Sequence, residues 1–401
     1  MVIFERVARL LLPNDGAGAV VEADADWRLD RRVAEAVDDV VVWGRPPLTS
    51  GAGFLAARRF AGARRRALVR LRRRPPGRFR TVDAVWWMPP VLGGSRFRQS
   101  FKNALSAGAA VTLSRRGRFE RVLDAAWSDA GYEGRATDAR PSSGGSLRVD
   151  VRGSDEPKIF RAGLLDSAVD PRSAGRALAL LEQAGVARVP RLLAAGTSAS
   201  AGWTVETRLE GARPAALTDD VIAQVVALTA TFPTSDDSPG AFGRDLATIG
   251  EHLPAHAPRI DDLAAQARET VDGLPSILRH GDLWVGNLLV RDGSVVGLVD
   301  WDAAHASGVP GTDLMHLLSG YLASGSLGDR FAQKPWRREE FATATASYWK
   351  KLALEPTPPV LDAVALAWWI GQLAANLERL PHLAETESWI ASNVDMVLDN
   401  A

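Results

Sequence analysis

The stretch that decides the fold is His280-Gly-Asp-Leu-Trp-Val-Gly-Asn-Leu-Leu289, followed after a turn by Leu298-Val-Asp-Trp-Asp302. Within it an Asp follows a His in a predicted loop, an Asn stands five residues later, and a second Asp, Asp300, ends an apolar run. Apolar residues on both sides of Arg291-Asp-Gly293 predict two short strands joined by a turn. The second strand would then deliver Asp300 to the edge of a cleft.

This spacing suits phosphoryl transfer, a reaction in which the protein mainly positions groups and neutralises charge. The carboxylate of Asp282, carried on a loop, would orient the attacking hydroxyl. The amide oxygen of Asn287 and the carboxylate of Asp300 would form the kind of oxygen site that Mg²⁺ prefers, completed by phosphate and water. A His-Gly-Asp tripeptide alone is a common turn, so the prediction depends on the complete spacing.

The same residues resemble the active-site signature of the aminoglycoside phosphotransferase and choline kinase family. Leu283-Trp-Val-Gly-Asn287 is also similar to the corresponding segment of fructosamine kinases. The resemblance implies an α+β, bilobal, protein-kinase-like fold with a small β-rich N-lobe and a mainly helical C-lobe. It also implies Mg²⁺- and nucleotide-dependent transfer of the γ-phosphate of ATP or GTP to a hydroxyl of a small molecule, such as a sugar, an aminoglycoside or an amino alcohol.

Residue roles follow from the resemblance position by position. It implies that Asp282 is the catalytic residue that orients the acceptor hydroxyl, with Asn287 and Asp300 as the Mg²⁺ ligands. His280 would brace the catalytic loop, and Asp313 matches a family position that is mainly structural.

A β-hairpin is predicted upstream, where residues 146–152 alternate apolar and polar side chains and the chain returns over 157–162. The resemblance implies a phosphate-anchoring cation on the returning strand, two residues after an apolar residue that touches the adenine. Because residues i and i+2 of a strand face the same side, Ile159 and Arg161 fit this spacing, and Lys158 is the alternative anchor. Just before the hairpin, Ser143, Gly144 and Gly145 stand where a nucleotide-covering loop would lie.

In such kinases a glutamate early in the next helix pairs with the anchoring cation. The predicted helix Arg172–Gln183 has only one acidic residue, Glu182, near its C-terminal end. Either Glu182 or Asp170 substitutes from an unusual position, or the pair is missing. The following strand resembles the segment that joins the lobes, and backbone groups near Glu206, Thr207 and Arg208 would then bind the adenine base.

The acceptor side carries the weakest pattern. Polar and aromatic side chains in the predicted helix Val360–Leu377 and just beyond it would line a cleft for a sugar or amine: Trp368, Trp369, Gln372, Asn376 and Glu378. Tryptophans at helical spacing more often belong to a packed core. A further amphipathic helix is predicted over Ala384–Leu398.

Domain boundaries are predicted by the change of pattern, with a small α/β domain over 1–135, an N-lobe over 136–210 and a C-lobe over 211–401. The first domain would alternate strands at 18–21, 39–43, 81–87 and 109–114 with helices at 27–37, 53–74, 97–106 and 119–130. Its end loosely resembles a Rossmann-like methyltransferase, which leaves a bifunctional enzyme open. Because no glycine-rich cofactor fingerprint follows an early strand, a structural or regulatory appendage is the favoured interpretation of this domain. The eleven arginines between Arg58 and Arg80 predict a solvated, arginine-rich helix rather than a nucleic-acid patch.

Composition narrows the function classes. Lys+Arg and Asp+Glu both number 48, which gives no sign of a nucleic-acid or other charged partner. Without cysteine, disulfides and thiolate metal sites are excluded. Neither a signal peptide nor a membrane span is predicted, so the expected location is the cytoplasm. The expected partners are a nucleotide and a small hydroxylated acceptor, and the alternative function is a catalytically weak, nucleotide-binding regulatory module.

Overall fold

The computed structural model describes residues 146–400 except 153–155, 166–169 and 199–200, together with six segments nearer the N-terminus: 18–22, 39–44, 66–74, 78–87, 135–141 and part of a helix between 122 and 130. The chain divides into two compact units. One comprises Met1–Arg172 with Leu192–Arg208, and the other comprises Ser173–Arg191 with Leu209–Ala401. The domain boundaries predicted after residues 135 and 210 stay predictions.

The first described sheet has four strands in sequence order: β1 (Gly18–Glu22), β2 (Asp39–Gly44), β3 (Arg66–Arg74) and β4 (Arg78–Trp87). The β1–β2 pair is parallel, and the other two pairs are antiparallel. Three of the four strands predicted in this region are present. The strand predicted at 109–114 and the helices predicted at 27–37 and 97–106 lie outside the described residues.

The arginine-rich helix is a wrong prediction. Residues 66–74 form β3, which pairs with β4 so that Arg74 lies opposite Arg78. The alternation of Val69 and Leu71 with Arg70 and Arg72 has the period of a strand, and pairing to a neighbouring strand outweighs the intrinsic helix preference of arginine. Pro75-Pro-Gly77 separates β3 from β4 in the chain.

The second sheet has five strands and contains the predicted hairpin. Its strands are β5 (Arg135–Pro141), β6 (Leu147–Arg152), β7 (Lys158–Leu164), β8 (Leu192–Ser198) and β9 (Ala201–Thr207). Their order is β5-β6-β7-β9-β8, and every neighbouring pair is antiparallel. Every residue of β7 and β9 is buried. Helix α1 (Pro171–Gln183), one residue longer than predicted, comes between β7 and β8 in the chain.

The second unit is mainly helical, as predicted from residue 217 onward. Its longer helices are α2 (Asp219–Thr229), α3 (Gly240–His252), α4 (Ala257–Asp272), α5 (Thr312–Leu322), α6 (Leu327–Ala332), α7 (Glu339–Lys351) and α8 (Pro358–Arg379). Strands β10 (Thr234–Ser235), β11 (Ser276–Arg279) and β14 (His305–Gly308) form a small sheet, and the predicted hairpin comprises β12 (Leu288–Arg291) and β13 (Ser294–Leu298). These short strands carry the residues that the sequence singled out.

Helix α8 is the central packing element of this unit. It contacts α3, α4 and α5, and both Trp368 and Trp369 are buried, so these tryptophans belong to the core. By length and composition α8 is the one helix among the described residues that could cross a membrane, but 72% of its apolar window is buried inside the protein. That burial is typical of a core helix.

The end of the chain departs from the single helix predicted over Ala384–Leu398. It forms a 3₁₀ turn (Pro381–Glu385), a short α9 (Glu387–Ile390), a π-helical turn (Ala391–Asp395) and α10 (Met396–Leu398). Within the π-helical turn the side chain of Asn393 donates to the backbone oxygen of Trp389 and accepts from the backbone N–H of Leu327. Such a polar insertion into the backbone ladder is a common reason for a helix to be interrupted.

Candidate active site

The catalytic loop starts where β11 ends, and Asp313 holds it in place. The two carboxylate oxygens of Asp313 accept the backbone N–H groups of His280 (2.6 Å) and Gly281 (2.9 Å). Asp313 lies in the first turn of α5, where the helix dipole favours a negative charge. These charge-assisted bonds fix the direction in which the chain leaves β11.

Gly281 makes the turn possible. Its φ is +80°, a left-handed conformation that glycine adopts without strain. A Cβ at this position would collide with the carbonyl oxygen of Ala303. Both the backbone conformation and the close approach therefore require glycine between His280 and Asp282.

Four residues form a closed ring of hydrogen bonds that we call the catalytic ring: His280, Asp282, Asn287 and Val299. The backbone N–H of Asp282 donates to His280 Nδ1 (3.3 Å), and His280 Nε2 donates to the carbonyl oxygen of Val299 (3.0 Å). The N–H of Val299 donates to the carbonyl oxygen of Asn287 (3.0 Å), and the amide nitrogen of Asn287 donates to the carbonyl oxygen of Asp282 (2.8 Å). The ring thus ties the loop to the end of β13.

The first two bonds also fix the state of the His280 ring. Since Nδ1 accepts a backbone N–H and Nε2 faces a carbonyl oxygen, His280 is neutral with its proton on Nε2. The ring is fully buried, and its centroid lies 4.6 Å from that of Trp301. The structure therefore places His280 where a brace of the loop would stand.

The Asp282 side chain is half-buried, with 29% of its surface exposed. Burial tends to raise the pKa of this carboxyl group, but the adjacent His316 side chain and the positive charge of Arg379 lower it by more, so its pKa lies well below the ordinary range. His316 Nε2 is 3.6 Å from Asp282 Oδ1. Asp282 is therefore ionised throughout the physiological pH range.

The β12–β13 hairpin brings Asn287 next to Val299, the residue that precedes Asp300. Leu288 pairs with Leu298, so the residues just outside this pair lie side by side at the open end of the hairpin. The side-chain N–H of Asn287 donates to the carbonyl oxygen of Asp282, which leaves the side-chain oxygen of Asn287 as the atom suited to a cation. Asp300 has a left-handed backbone (φ 73°, ψ 60°) at the point where the chain turns away from β13.

This donor set fits Mg²⁺. One amide oxygen and one carboxylate give a small hard-oxygen site, and Mg²⁺ is commonly held by one or two carboxylates together with phosphate and water. Among the described residues no group of three or more His, Cys, Asp and Glu side chains is arranged to hold a metal ion.

In the five-stranded sheet, Arg161 has an anionic partner that sequence reasoning did not assign to it. Arg161 Nε donates to Glu206 Oε1 at 3.2 Å, and both side chains are almost completely buried, with 1% and 2% exposed. Ile159 lies directly opposite Glu206 in the β7–β9 pairing. Arg161 is two residues after Ile159 and is therefore the diagonal neighbour of Glu206 on the same face of the sheet. The signal was the register of two strands distant in sequence, which the amino-acid pattern alone does not give.

The residues considered for that pairing have other positions. At the start of α1, the carboxylate of Asp170 accepts a hydrogen bond from the backbone N–H of Arg172. It also forms an ion pair with the guanidinium of Arg172, at 2.8 Å. Glu182 is exposed near the other end of α1. The alternative anchor Lys158 donates to the backbone oxygen of Glu156.

The segment expected to bind adenine is described, whereas the glycine-rich loop is not. Glu206 and Thr207 belong to β9, where Glu206 lies opposite Ile159 on one side and Leu192 on the other. The N–H of Arg208 donates to the carbonyl oxygen of Pro157, so this donor is engaged within the sheet. Ser143, Gly144 and Gly145 lie outside the described residues.

Helix α8, which carries the residues expected on the acceptor side, forms a side-chain hydrogen bond to the loop after β11. Gln372 Nε2 donates to the carbonyl oxygen of Gly281 at 3.0 Å. Glu378 accepts a hydrogen bond from Thr248, and Asn376 is half-buried. Trp368 donates its indole N–H to His316 Nδ1 at 3.3 Å. Sequence reasoning missed His316, because no motif marks a helical histidine that is 34 residues from Asp282.

More than half of the chain matches a known protein family. Residues 139–354 match the model of a family described as the phosphotransferase enzyme family. The chain is similar in structure to a protein named as a fructosamine-3-kinase from Thermobifida fusca (15% identity, 69% of this chain and 98% of that chain covered, TM-score 0.46). It is also similar to a protein named likewise from Haemophilus somnus (13%, 70% and 97%, TM-score 0.47) and to the aminoglycoside phosphotransferase APH(3'')-Id from Streptomyces rimosus (16%, 63% and 97%, TM-score 0.38). No curated protein sequence matches the chain.

Proposed function

Because the chain belongs to the phosphotransferase enzyme family, we propose that it transfers the γ-phosphate of ATP or GTP to a hydroxyl group of a small molecule, such as a sugar, an aminoglycoside or an amino alcohol, in a Mg²⁺-dependent reaction. The observation that carries the proposal is the catalytic ring. It joins an ionised, partly exposed Asp282 to the Asn287 amide, and its fourth member, Val299, directly precedes Asp300 in the chain.

Asp282 would orient the acceptor hydroxyl. Its lowered pKa makes it a weak base, so it accepts a hydrogen bond from the hydroxyl but does not remove the proton early. Phosphoryl transfer has a loose transition state in most cases, and alignment of the attacking oxygen then matters more than its deprotonation. A proton leaving the hydroxyl late in the step would pass to the Asp282 carboxylate.

Asn287 and Asp300 would hold Mg²⁺ through one amide oxygen and one carboxylate. Bound there, the ion would neutralise charge on the phosphates of the nucleotide. The hairpin pairing and the bond between the Val299 N–H and the Asn287 carbonyl oxygen would keep Asn287 fixed, and Asp300 is the next residue after Val299.

Arg161 would anchor the nucleotide phosphates, with Lys158 as the alternative. The partner carboxylate of Glu206 holds the guanidinium at a fixed position on the face of β7. Ser143, Gly144 and Gly145 would cover the phosphates, and backbone groups of Thr207 and Arg208 at the end of β9 would contact the base. The rigid fork of arginine can bind phosphate oxygens in pairs, unlike the point charge of lysine.

The acceptor would lie against the polar end of α8. Gln372 already touches the catalytic loop, Asn376 follows it at the helical spacing of i+4, and Glu378 lies two residues further along α8. Hydroxyl and amine groups of a sugar-like molecule would find both donors and acceptors there. We place the reaction in the cytoplasm, where nucleotide and Mg²⁺ are abundant.

One observation favours a second candidate, a nucleotide-binding regulatory module with weak catalysis. The first turn of α1 carries no acidic residue, so the usual helix partner of the anchoring cation is missing there. The Arg161–Glu206 pair offers a replacement within the sheet. For this reason we favour the enzyme.

Nucleotide consumption in the presence of a panel of hydroxylated small molecules tests the proposal. We expect acceptor-dependent release of ADP or GDP by the wild type and a loss of several orders of magnitude in kcat for Asp282→Ala, with nucleotide affinity nearly unchanged. Asp300→Ala should instead weaken Mg²⁺–nucleotide binding. Retained nucleotide binding without turnover of any acceptor would point to the regulatory module, and equal loss of nucleotide binding in both variants would refute the assigned roles.

A further inference from the structure

His316 and Asp313 share one face of α5 and both reach the catalytic loop. They are three residues apart, which places their side chains next to each other on a helix. Asp313 binds the backbone at His280 and Gly281, whereas the ring of His316 approaches the Asp282 side chain, with Nε2 3.6 Å from Oδ1. One helix face thus holds both the backbone of the loop and its carboxylate.

The proton of His316 is located by its second neighbour, Trp368. The indole N–H of Trp368 is a donor only, and it points to His316 Nδ1 at 3.3 Å. Nδ1 must therefore accept. A neutral ring then carries its proton on Nε2, the nitrogen that faces Asp282, and an imidazole ring has no other tautomer compatible with this contact.

Burial makes this arrangement rigid. The side chain of His316 is 14% exposed, and Trp368 is 1% exposed within α8. The guanidinium of Arg330 lies over the Trp368 ring, 5.9 Å from its centroid. The tryptophan that the sequence offered as an acceptor contact is instead a support for the histidine.

We infer that His316 is a positioning residue for the phosphotransfer reaction: its Nε2–H holds one oxygen of Asp282, the other oxygen is left to the acceptor hydroxyl, and Trp368 keeps the histidine in the required tautomer. The inference rests on the proposed function. The 3.6 Å separation is longer than a hydrogen bond, and such contacts often shorten when substrate is bound.

A series of substitutions at His316 separates positioning from packing. His316→Leu removes the donor and fills similar space. His316→Gln keeps an N–H at about the distance of Nε2 from the backbone, whereas the side-chain amide of His316→Asn is one bond closer to the backbone and does not reach that position. We expect kcat to fall roughly 10- to 100-fold in the Leu and Asn variants, since small misplacement of a reacting group has effects of this size. The Gln variant should retain most of the activity, and nucleotide affinity should be unchanged in all three.

Equal activity of the Leu variant and the wild type would overturn the inference, and so would a Gln variant as slow as the Leu variant at equal unfolding free energy. The unfolding free energy, measured in urea, identifies any variant that is slow only because it is less stable. If His316→Leu does not fold, the comparison of the Gln and Asn variants decides, because they differ only in how far the side-chain amide reaches.

A second measurement does not depend on activity. The chain has six histidines, so ¹⁵N-histidine NMR of the full protein can assign His316 from the signal lost in His316→Gln. We expect the pattern of a neutral ring protonated on Nε2, and a shift toward the other tautomer in Trp368→Phe. A wild-type His316 protonated on Nδ1 would overturn the inference. Observation of the Nε2–H form in a protein that turns over no acceptor would instead reject the proposed enzyme and leave only a structural contact.

Discussion

Two glycines with left-handed backbones show what a single residue contributes to the catalytic loop. Gly281 (φ +80°) lies under the Ala303 carbonyl oxygen, whereas Gly293 (φ +78°), in the turn between β12 and β13, has no atom within 4 Å of where a Cβ would be. The two positions share a backbone conformation and differ in the space around it. They therefore allow strain and collision to be measured separately.

We expect Gly293→Ala to lower the free energy of unfolding by about 1 kcal/mol, the usual cost of a left-handed alanine. Gly281→Ala carries the same strain and also pushes the loop away from Ala303, so its loss should be at least twice as large and kcat should fall with it. Urea unfolding and steady-state kinetics of both variants check this. Equal losses in the two variants would show that the loop can move aside freely.

The motif around Asp282 could be predicted because all its members lie within 23 residues, so local spacing determines the geometry. The roles of His316 and of Glu206 as partners could not be predicted in this way. Each depends on a contact between elements far apart in sequence, one across two helices and one across two strands. Residue type alone gives no sign of either contact.

At the scale of elements, the β7–β9 pairing creates a buried ion pair in the middle of a sheet. Removing two charges from water is expensive, and the attraction between them compensates only when the geometry is good. Loss of either partner leaves an uncompensated buried charge. The pairing of these strands thus couples the stability of the sheet to the proposed phosphate anchor.

We expect Glu206→Leu and Arg161→Met each to lower the free energy of unfolding by about 3–5 kcal/mol, and the double variant to recover most of that loss. Nucleotide binding should stay weak in Arg161→Met and in the double variant, because the anchor is missing from both. Thermal unfolding and nucleotide titration are the two measurements. Full nucleotide affinity in the double variant would argue against Arg161 as the anchor and in favour of Lys158.

Strand β14 carries a histidine that stays neutral far below its ordinary pKa. Burial, followed by the nearby charges of Arg279 and Arg244, lowers the pKa of His305 to about 2, and its Nδ1 accepts from Arg244 at 3.0 Å. Between pH 6.5 and 2 the unfolded chain binds a proton that the folded chain does not. The contribution of His305 to the free energy of unfolding is therefore fully present above pH 6.5 and is lost as the pH falls from 6.5 toward 2.

His305→Asn keeps an acceptor for Arg244 but does not titrate. We expect the wild type to lose about 2 kcal/mol more than this variant between pH 7 and pH 5, at about 1.4 kcal/mol per pH unit. Urea unfolding at several pH values measures the difference, and the half-buried His252→Asn serves as the control. Parallel curves for the wild type and His305→Asn would contradict the neutral state of His305.

Element types were predicted well where the pattern was long or strongly alternating, as in β6, β7, α1 and α8. They were wrong for β3, where arginine favours a helix locally but the partner strand decides the structure. The last helix was also predicted as continuous, although Asn393 interrupts it with bonds to the backbone of Trp389 and Leu327. In both cases a tertiary contact outweighs local preference.

For the molecule as a whole, α8 lies beyond residues 139–354, which match the family, yet it supplies the core and part of the site. Trp369 is completely buried and donates its indole N–H to the carbonyl oxygen of Asn393 at 2.9 Å. Gln372 of the same helix contacts the catalytic loop. Core and site therefore share one element at the end of the chain.

Trp369→Ala should lower the free energy of unfolding by about 3–5 kcal/mol, as expected for an aromatic residue removed from a core. The exposed Tyr321→Ala is the matched control and should change it by less than about 0.5 kcal/mol. Urea unfolding followed by circular dichroism measures both. A small effect of Trp369→Ala would mean that α8 is not part of the cooperative core.

The catalytic ring of His280, Asp282, Asn287 and Val299 has a consequence for hydrogen exchange. The backbone amides of Asp282 and Val299 are two of its four donors, and each is released only when the chain around the ring opens. In D₂O these two amides would therefore exchange at a common slow rate, although the loop that contains Asp282 belongs to no regular helix or strand. Bound nucleotide and metal would find the ring already closed, and the ordering of this loop would add little to the entropy cost of binding.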